Sequence, residues 1–292
     1  MGYPDMQKLL EYLRLDRIDR FLFTGNSPQR PSRIFGGQVL AQSLDAAIRS
    51  VEGERIAHSM HAYFLRPGNP EKQIVFEVDP IRDGRSFATR RVVAKQDGVP
   101  IFHTSVSFQF DSPGLEHQAA MPDAPAPETL QTDDECLEEL RKKDPQRYSS
   151  PLASAIERRV VNRRDYKHPT AVEPRQLAWF RTLSTVDLDA ATNQVILAFM
   201  SDFALLGAAL LPHPYTAYSP GMQVASLDHA IWFHRPAHTD EYLLYALDSP
   251  NASGSRGFSR GQFFTREGRL IASTAQESLM RLRDNTGESE SS

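Results

Sequence analysis

The chain has 292 residues, 40% hydrophobic and 24% charged, with a formal net charge of −4; this suits a globular protein of one large or two ordinary domains. The acidic balance argues against nucleic acid as a partner, because no basic excess exists to neutralise phosphates. The single cysteine, Cys136, excludes an internal disulfide and a cysteine-built metal site.

Leu9, Leu10, Leu13 and Ile18 predict a stripe on a leading helix, and Phe21-Leu22-Phe23 a short strand before the turn at Gly25-Asn26-Ser27-Pro28. Phe35-Gly36-Gly37 precedes an apolar helix from Val39 to Ile48, and the double glycine lets backbone approach closely at its start. Strand patterns follow over 58–65, 73–78, 87–95 and 99–110, giving about five strands by residue 112. The last two runs are joined at Gln96-Asp97-Gly98, a hairpin signal.

Residues 113–150 carry five prolines and an acidic run ahead of Arg141-Lys142-Lys143. They predict a linker with one exposed helix near 133–143 whose charges face solvent. Beyond it, Trp179 to Val186 reads as a strand. The apolar stretch from Met200 to Leu211 reads as a helix buried on every face, stopped by Pro212. Asp202 is its only charge; Ser201 just before it or Asp202 itself can serve as the N-cap, and the helix dipole would favour the ionised carboxylate. Strands are expected over 226–234, 242–247, 258–265 and 270–280, the last two joined at Arg266-Glu267-Gly268.

No run approaches 18 apolar residues, so no membrane span is expected. The first residues lack the features of a secretory signal. Residues 285–292 read as a polar, disordered tail without a Ser-Lys-Leu address, and the cytoplasm is the expected location.

The second half repeats the first. Arg66-Pro67 and Arg235-Pro236 stand 169 positions apart, Gln96-Asp97-Gly98 and Arg266-Glu267-Gly268 stand 170 apart, and Arg90 is expected to match Arg260. Each unit pairs one apolar helix with one antiparallel sheet. A helix that is apolar all round needs a sheet wrapped around it, which is the hot-dog architecture. The expected fold is therefore α+β, a tandem (double) hot-dog: residues 1–112, a linker at 113–150, and residues 151–284. In the first unit the place of Asp202 is expected to fall to Gly36-Gly37 and that of Gln276 to Val106, which leaves one reactive centre per chain.

Common reactive motifs fail on inspection. Ser226, Asp228 and His229 resemble a compressed triad, but on one continuous strand His229 would point away from the other two. Ser253-Gly254-Ser255-Arg256-Gly257 lacks the first glycine of a nucleophile elbow, and no phosphate-binding glycine loop is present. The histidines show no metal-ligand spacing, so neither metal nor cofactor is expected. His58 and His61 lie on a core-like strand and suit packing. The arginines at 82, 85, 90, 91, 256, 260, 266 and 269 suit either a charge-protected sheet edge or a phosphate-rich ligand.

Several blocks resemble the acyl-CoA thioesterase II family. They are Phe35-Gly36-Gly37-Gln38-Val39, His58 to Gly68, Arg82 to Phe87, Ser201-Asp202, Leu227 to Pro236, and Ala272 to Glu277. The resemblance spans roughly residues 7 to 282 and is to the bacterial, TesB-like type. It implies hydrolysis of fatty acyl-CoA thioesters, with the catalytic residues falling on Asp202, Ser226 and Gln276. Gly37 is a candidate to offer its backbone N–H to the substrate's thioester oxygen. The fold implies a homodimer or homotetramer, with no membrane or nucleic-acid partner. Alternatives are an acyl-CoA-binding sensor, or another hot-dog enzyme that hydrates or dehydrates acyl thioesters.

Overall fold

The computed structural model describes residues 6–28, 33–143, 155–165, 168–183 and 188–283. The expected tail at 285–292, the end of the linker at 144–150, and the end of the strand expected up to Val186 lie outside the described residues.

Helix α1 (Met6–Leu13) buries Met6, Leu9 and Leu13. Ile18 does not continue its stripe; it lies 60% exposed on strand β1 (Asp16–Asp19), a polar edge strand that pairs with β2 (Leu22–Gly25). Helix α2 (Gly36–Ile48) follows, then β3 (Ile56–Phe64), β4 (Ile74–Asp83), β5 (Phe87–Gln96) and β6 (Val99–Gln109). Among the described residues the first unit thus has six strands. Asp97 and Gly98 turn the last hairpin with φ of 50° and 76°, the left-handed pair that such a two-residue turn requires.

The second unit begins with two strands, β7 (Ile156–Val160) and β8 (Arg175–Thr182). Helices α4 (Ala190–Ser201) and α5 (Leu205–Leu210) come next, then β9 (Met222–Ser226), β10 (Asp228–Phe233), β11 (Leu243–Ser253), β12 (Arg256–Thr265) and β13 (Leu270–Leu282). The intervening helix α3 (Asp133–Lys143) forms where expected. Its charges are not all solvated: Asp133 is 7% exposed and pairs with Arg158 at 3.0 Å and with Arg163. The segment before it lies along the second unit. Trp179 donates to Pro125 O, Gln118 bonds Gly268 and Leu270, and Arg266 pairs with Glu128.

Among the described residues, one antiparallel sheet runs β1-β2-β4-β5-β6-β3-β10-β13-β12-β11-β8-β7, with β9 added beside β13. The order reads the same from either end once β3 is matched to β10, β6 to β13, β5 to β12, β4 to β11, β2 to β8 and β1 to β7. The units therefore meet at β3 and β10, and the sheet is continuous across the seam. Helices α2 and α4 pack against each other inside its curve, with the start of each beside the end of the other. The stretch from Ala190 to Leu210 is apolar and long enough to cross a membrane by length and composition, but 78% of its most apolar window is buried in the protein, as befits a core element.

Hydrogen bonds fix the equivalences between units. Leu65 and Arg66 N–H both donate to Ile101 O, and His234 and Arg235 N–H both donate to Ile271 O. Strand β3 thus maps onto β10 with a shift of 169, and β6 onto β13 with a shift of 170. His61 then maps onto Ala230, its own cross-strand partner, so the local twofold passes through that pair. The expected match of Arg90 with Arg260 is overturned. Arg91, paired with Asp79, corresponds to Arg260, paired with Asp248. Arg90 points inward, 2% exposed, onto Ser50 and Asp83. The two hairpins close with different local register, which hides this one-residue difference from a count along the sequence.

Candidate active site

Asp202 does not open a helix. The apolar run begins earlier, at α4, whose N-cap Asp189 accepts a hydrogen bond from Thr192 N–H at 2.7 Å. Asp202 caps the C-terminus of α4 (φ −79°, ψ −5°), and Ser201, the other expected N-cap, is the last residue of that helix. The chain then breaks at Ala204, with φ of 74°, before α5. Left-handed backbone at a non-glycine residue costs about 1–2 kcal/mol, and nothing in a continuous apolar run announces it. The dipole of α4 therefore opposes a negative charge at Asp202.

The start of α2 supplies what α4 does not. The backbone N–H of Gly37 hydrogen bonds to the Asp202 carboxylate. The approach is close enough to need both glycines. A Cβ at Gly36 would lie 2.6 Å from Asp202 Oδ2, and one at Gly37 would lie 2.4 Å from Phe199 O. The N–H considered for a thioester oxygen is thus directed at the carboxylate.

The structure brings Asp202, Ser226 and Gln276 together. Ser226 Oγ donates to Asp202 Oδ1 at 3.4 Å and accepts from Gln276 Nε2 at 3.1 Å. Residue 202 as a whole is half-buried, yet its carboxyl group is enclosed by protein atoms. Burial pushes its pKa up to about 7, against the lowering effects of Gly37 N–H, Ser226 and the charge of Arg33. Desolvation thus outweighs the stabilising donors, against the ionised carboxylate expected from a helix start.

Behind the trio lies a polar chain. Gln276 Oε1 meets His229 Nδ1 at 2.8 Å, and His229 Nε2 meets Ser201 Oγ at 2.8 Å. Tyr245 donates its hydroxyl to Ser201 O at 2.8 Å and bonds Thr274. Burial lowers the His229 pKa to about 4, so the ring is neutral near pH 7. His229 and Ser226 both reach Gln276, against the expectation from one continuous strand, because the strand is interrupted at Leu227, where β9 gives way to β10. Leu227 bonds through its N–H to Glu277 O and through its carbonyl to Phe64 N–H, and alternation does not carry across it. Asp228 is the residue that points elsewhere, accepting from Glu277 N–H at 2.6 Å. His58 bonds Ser107 at 2.8 Å, and His61 packs edge-on against Trp232.

Among the described residues the first unit has no such chain. By the equivalences above, Val106 stands for Gln276, Met60 for His229 and Phe76 for Tyr245, all buried and apolar. The counterpart of Asp202 is not Gly36-Gly37 but Arg49, the C-cap of α2 (φ −71°, ψ −5°). Helix ends, not helix starts, are the matching positions. At that second junction Arg49 pairs with Asp45 at 3.1 Å beside Asp189 and Thr192, along a cavity of about 590 Å³. Most of the arginines weighed as phosphate ligands are already paired with carboxylates: Arg90, Arg91, Arg256, Arg260 and Arg266.

Residues 151–279 match the family described as acyl-CoA thioesterase, and residues 25–109 match its N-terminal domain. The acyl-CoA thioesterase 2 of Haemophilus influenzae is 39% identical over 279 residues, covering 94% of this chain and 98% of the relative. This chain belongs to the acyl-CoA thioesterase family. The mouse acyl-coenzyme A thioesterase 8 is also 39% identical, covering 95% of this chain and 90% of its own length. The crystal structure of acyl-CoA thioesterase II TesB2 from Mycobacterium marinum superposes with a TM-score of 0.77 at 39% identity, covering 94% of this chain and 98% of that one. A hot-dog protein from Alicyclobacillus acidocaldarius, 18% identical and covering 94% of this chain and 98% of its own, has a TM-score of 0.76 and supports the fold alone. The tandem hot-dog architecture is thus that of the family.

Proposed function

We propose that this family member hydrolyses fatty acyl-CoA thioesters to free fatty acid and coenzyme A, using a water activated at Asp202, Ser226 and Gln276. The observation that carries the reading is a buried carboxyl whose pKa is about 7, in contact with a hydroxyl that is itself held by an amide. A base poised near the working pH combines a useful ionised fraction with a real affinity for the proton.

The ionised Asp202 takes a proton from the water as its oxygen bonds to the thioester carbonyl carbon. The carbonyl π electrons move onto oxygen, and on their return the C–S bond breaks. The proton held on Asp202 passes to the departing thiolate, so Asp202 is ionised again. Cysteine-like thiols titrate near about 8.5, so this last transfer is downhill from a group near 7. Ser226 and Gln276 hold the water on a line to the carbonyl, and neither is consumed. As Asp202 becomes neutral its grip on the Gly37 N–H weakens while the oxyanion forms, so the same donor serves the oxygen in turn. Beside the site Phe35, Phe199 and Phe203 pack into an aromatic cluster with ring centroids 4.5–5.5 Å apart.

A hydratase or dehydratase would want a histidine free beside the acid. His229 has both ring nitrogens engaged, one on Gln276 and one on Ser201, which favours hydrolysis. Release of coenzyme A from fatty acyl-CoA, followed with a thiol-reactive dye, should be rapid in the wild type and nearly absent in Asp202→Asn. Equal rates would overturn the assignment of the base. Binding of acyl-CoA without thiol release in either protein would favour the sensor.

A further inference from the structure

The geometry points to His229 as a positioning residue, which donates its Nδ1–H to Gln276 Oε1 and so fixes that amide with its NH2 toward Ser226 and the reacting water. This rests on the reading of Asp202, Ser226 and Gln276 as the water-holding groups.

A glutamine amide can turn over, exchanging its oxygen and nitrogen with almost no change in shape. Ser226 and Ser278, both 3.1 Å from Gln276 Nε2, cannot choose between the two states, because a hydroxyl either donates or accepts. The direction is set from the carboxylate inward. An ionised Asp202 only accepts, so Ser226 Oγ–H donates to it. Ser226 Oγ then accepts from the Gln276 NH2, and Gln276 Oε1 is left facing the imidazole 2.8 Å away. That contact is attractive only if the proton is on Nδ1. Nε2 is then bare and accepts from Ser201 Oγ, 2.8 Å away. In the opposite state Ser201 donates to Ala198 O, also 2.8 Å away. The imidazole proton moves to Nε2, Gln276 turns its oxygen to Ser226, and the Ser226 hydroxyl is drawn off the carboxylate. One histidine tautomer therefore separates a working amide from an inverted one.

The first unit is an internal control. Its equivalents of His229, Gln276 and Tyr245 are Met60, Val106 and Phe76, each buried, so the fold fills this place with apolar side chains when no chemistry is done there. The second unit accepts the desolvation of a fully buried imidazole and amide, and orientation of Gln276 is what it gains.

The test uses the full-length protein. In His229→Met, the side chain the first unit uses, kcat should fall on the order of 10²-fold, the scale of a misplaced reacting group, with KM for acyl-CoA little changed. His229→Asn puts an amide N–H near the place of Nδ1 and should recover most of the lost kcat. Imidazole ¹⁵N NMR of the wild type should show the proton on Nδ1 of a neutral ring across pH 6–8. A proton on Nε2, full kcat in the Met variant, or an Asn variant no better than Met would each overturn the proposal. If the Met variant does not fold, the Asn variant and the NMR spectrum decide. Asp202→Asn run in parallel separates the two readings. If it is inactive while His229→Met is fully active, only the role of His229 falls; if it is fully active, the base assignment falls, and the tautomer still reports on His229.

Discussion

The backbone N–H of Gly37, at the start of one core helix, is bonded to the carboxylate of Asp202, at the end of the other. The helices are held in this pairing by glycines at 36 and 37, whose missing side chains leave the space that Asp202 Oδ2 and Phe199 O occupy. The candidate base is thereby built from both units, although Ser226, which donates to it, and Gln276, which donates to Ser226, come from the second alone.

Gly37→Ala should destabilise the fold by roughly 2–4 kcal/mol, because the new methyl meets a backbone carbonyl that cannot swing aside. Urea unfolding of the two proteins measures the difference. A loss under about 0.5 kcal/mol, the range of unremarkable surface changes, would show that the helices can separate freely.

The pH dependence of kcat/KM should show an acid limb with an apparent pKa of about 7, set by Asp202. Below it the carboxylate is protonated and the rate falls about tenfold per pH unit. Above it the rate levels off. A limb near pH 4 would mean that burial does not govern this carboxyl.

Asp202→Asn should trade activity for stability. The carboxyl pKa is raised from 3.8 to about 7 in the fold, so the folded state holds a proton that the unfolded chain releases. The stability linked to that proton is fully present below pH 3.8 and is lost as pH rises to about 7. The neutral amide avoids this loss. At pH 8 the variant should be more stable by on the order of 2–4 kcal/mol, and at pH 4 no more stable than wild type. Unfolding midpoints at the two pH values test the sign.

Asp133→Ala should cost roughly 2–4 kcal/mol, because it removes the nearly buried carboxylate that pairs with both Arg158 and Arg163. The same change should loosen α3 from the second unit and speed proteolysis between the units.

The parts of this fold that were legible in the sequence are those whose signal is local or repeated. Asp97-Gly98 carries its own turn chemistry, and the Arg-Pro and turn markers exposed the duplication. Strands β1 and β7 are not legible in the sequence, because Asp16-Arg17-Ile18-Asp19 and Ile156-Glu157-Arg158-Arg159-Val160 are short, polar edge segments with little alternation. The helix that ends at Ser201 and the turn at Ala204 lie inside one apolar run, and alanine gives no warning of a left-handed turn, so the run alone puts Asp202 at a helix start. Asp202, Ser226 and Gln276 were singled out by family resemblance; spacing alone would not have joined residues 50 and 74 positions apart. Unbroken strand alternation turns His229 away from Ser226, and the break at Leu227 depends on pairing with Phe64 and Glu277, which are distant in sequence.

The seam at His61 and Ala230 has a consequence for how such a site can change. In a dimer of separate identical units, every substitution appears twice, so a buried imidazole gained at one junction is imposed on the other. Joining the units in one chain removes that constraint. The junction with Arg49, Met60 and Val106 is free to favour packing, while the junction with Asp202, His229 and Gln276 carries buried polar groups at a cost in stability. The covalent link between the halves therefore lets one half underwrite the other.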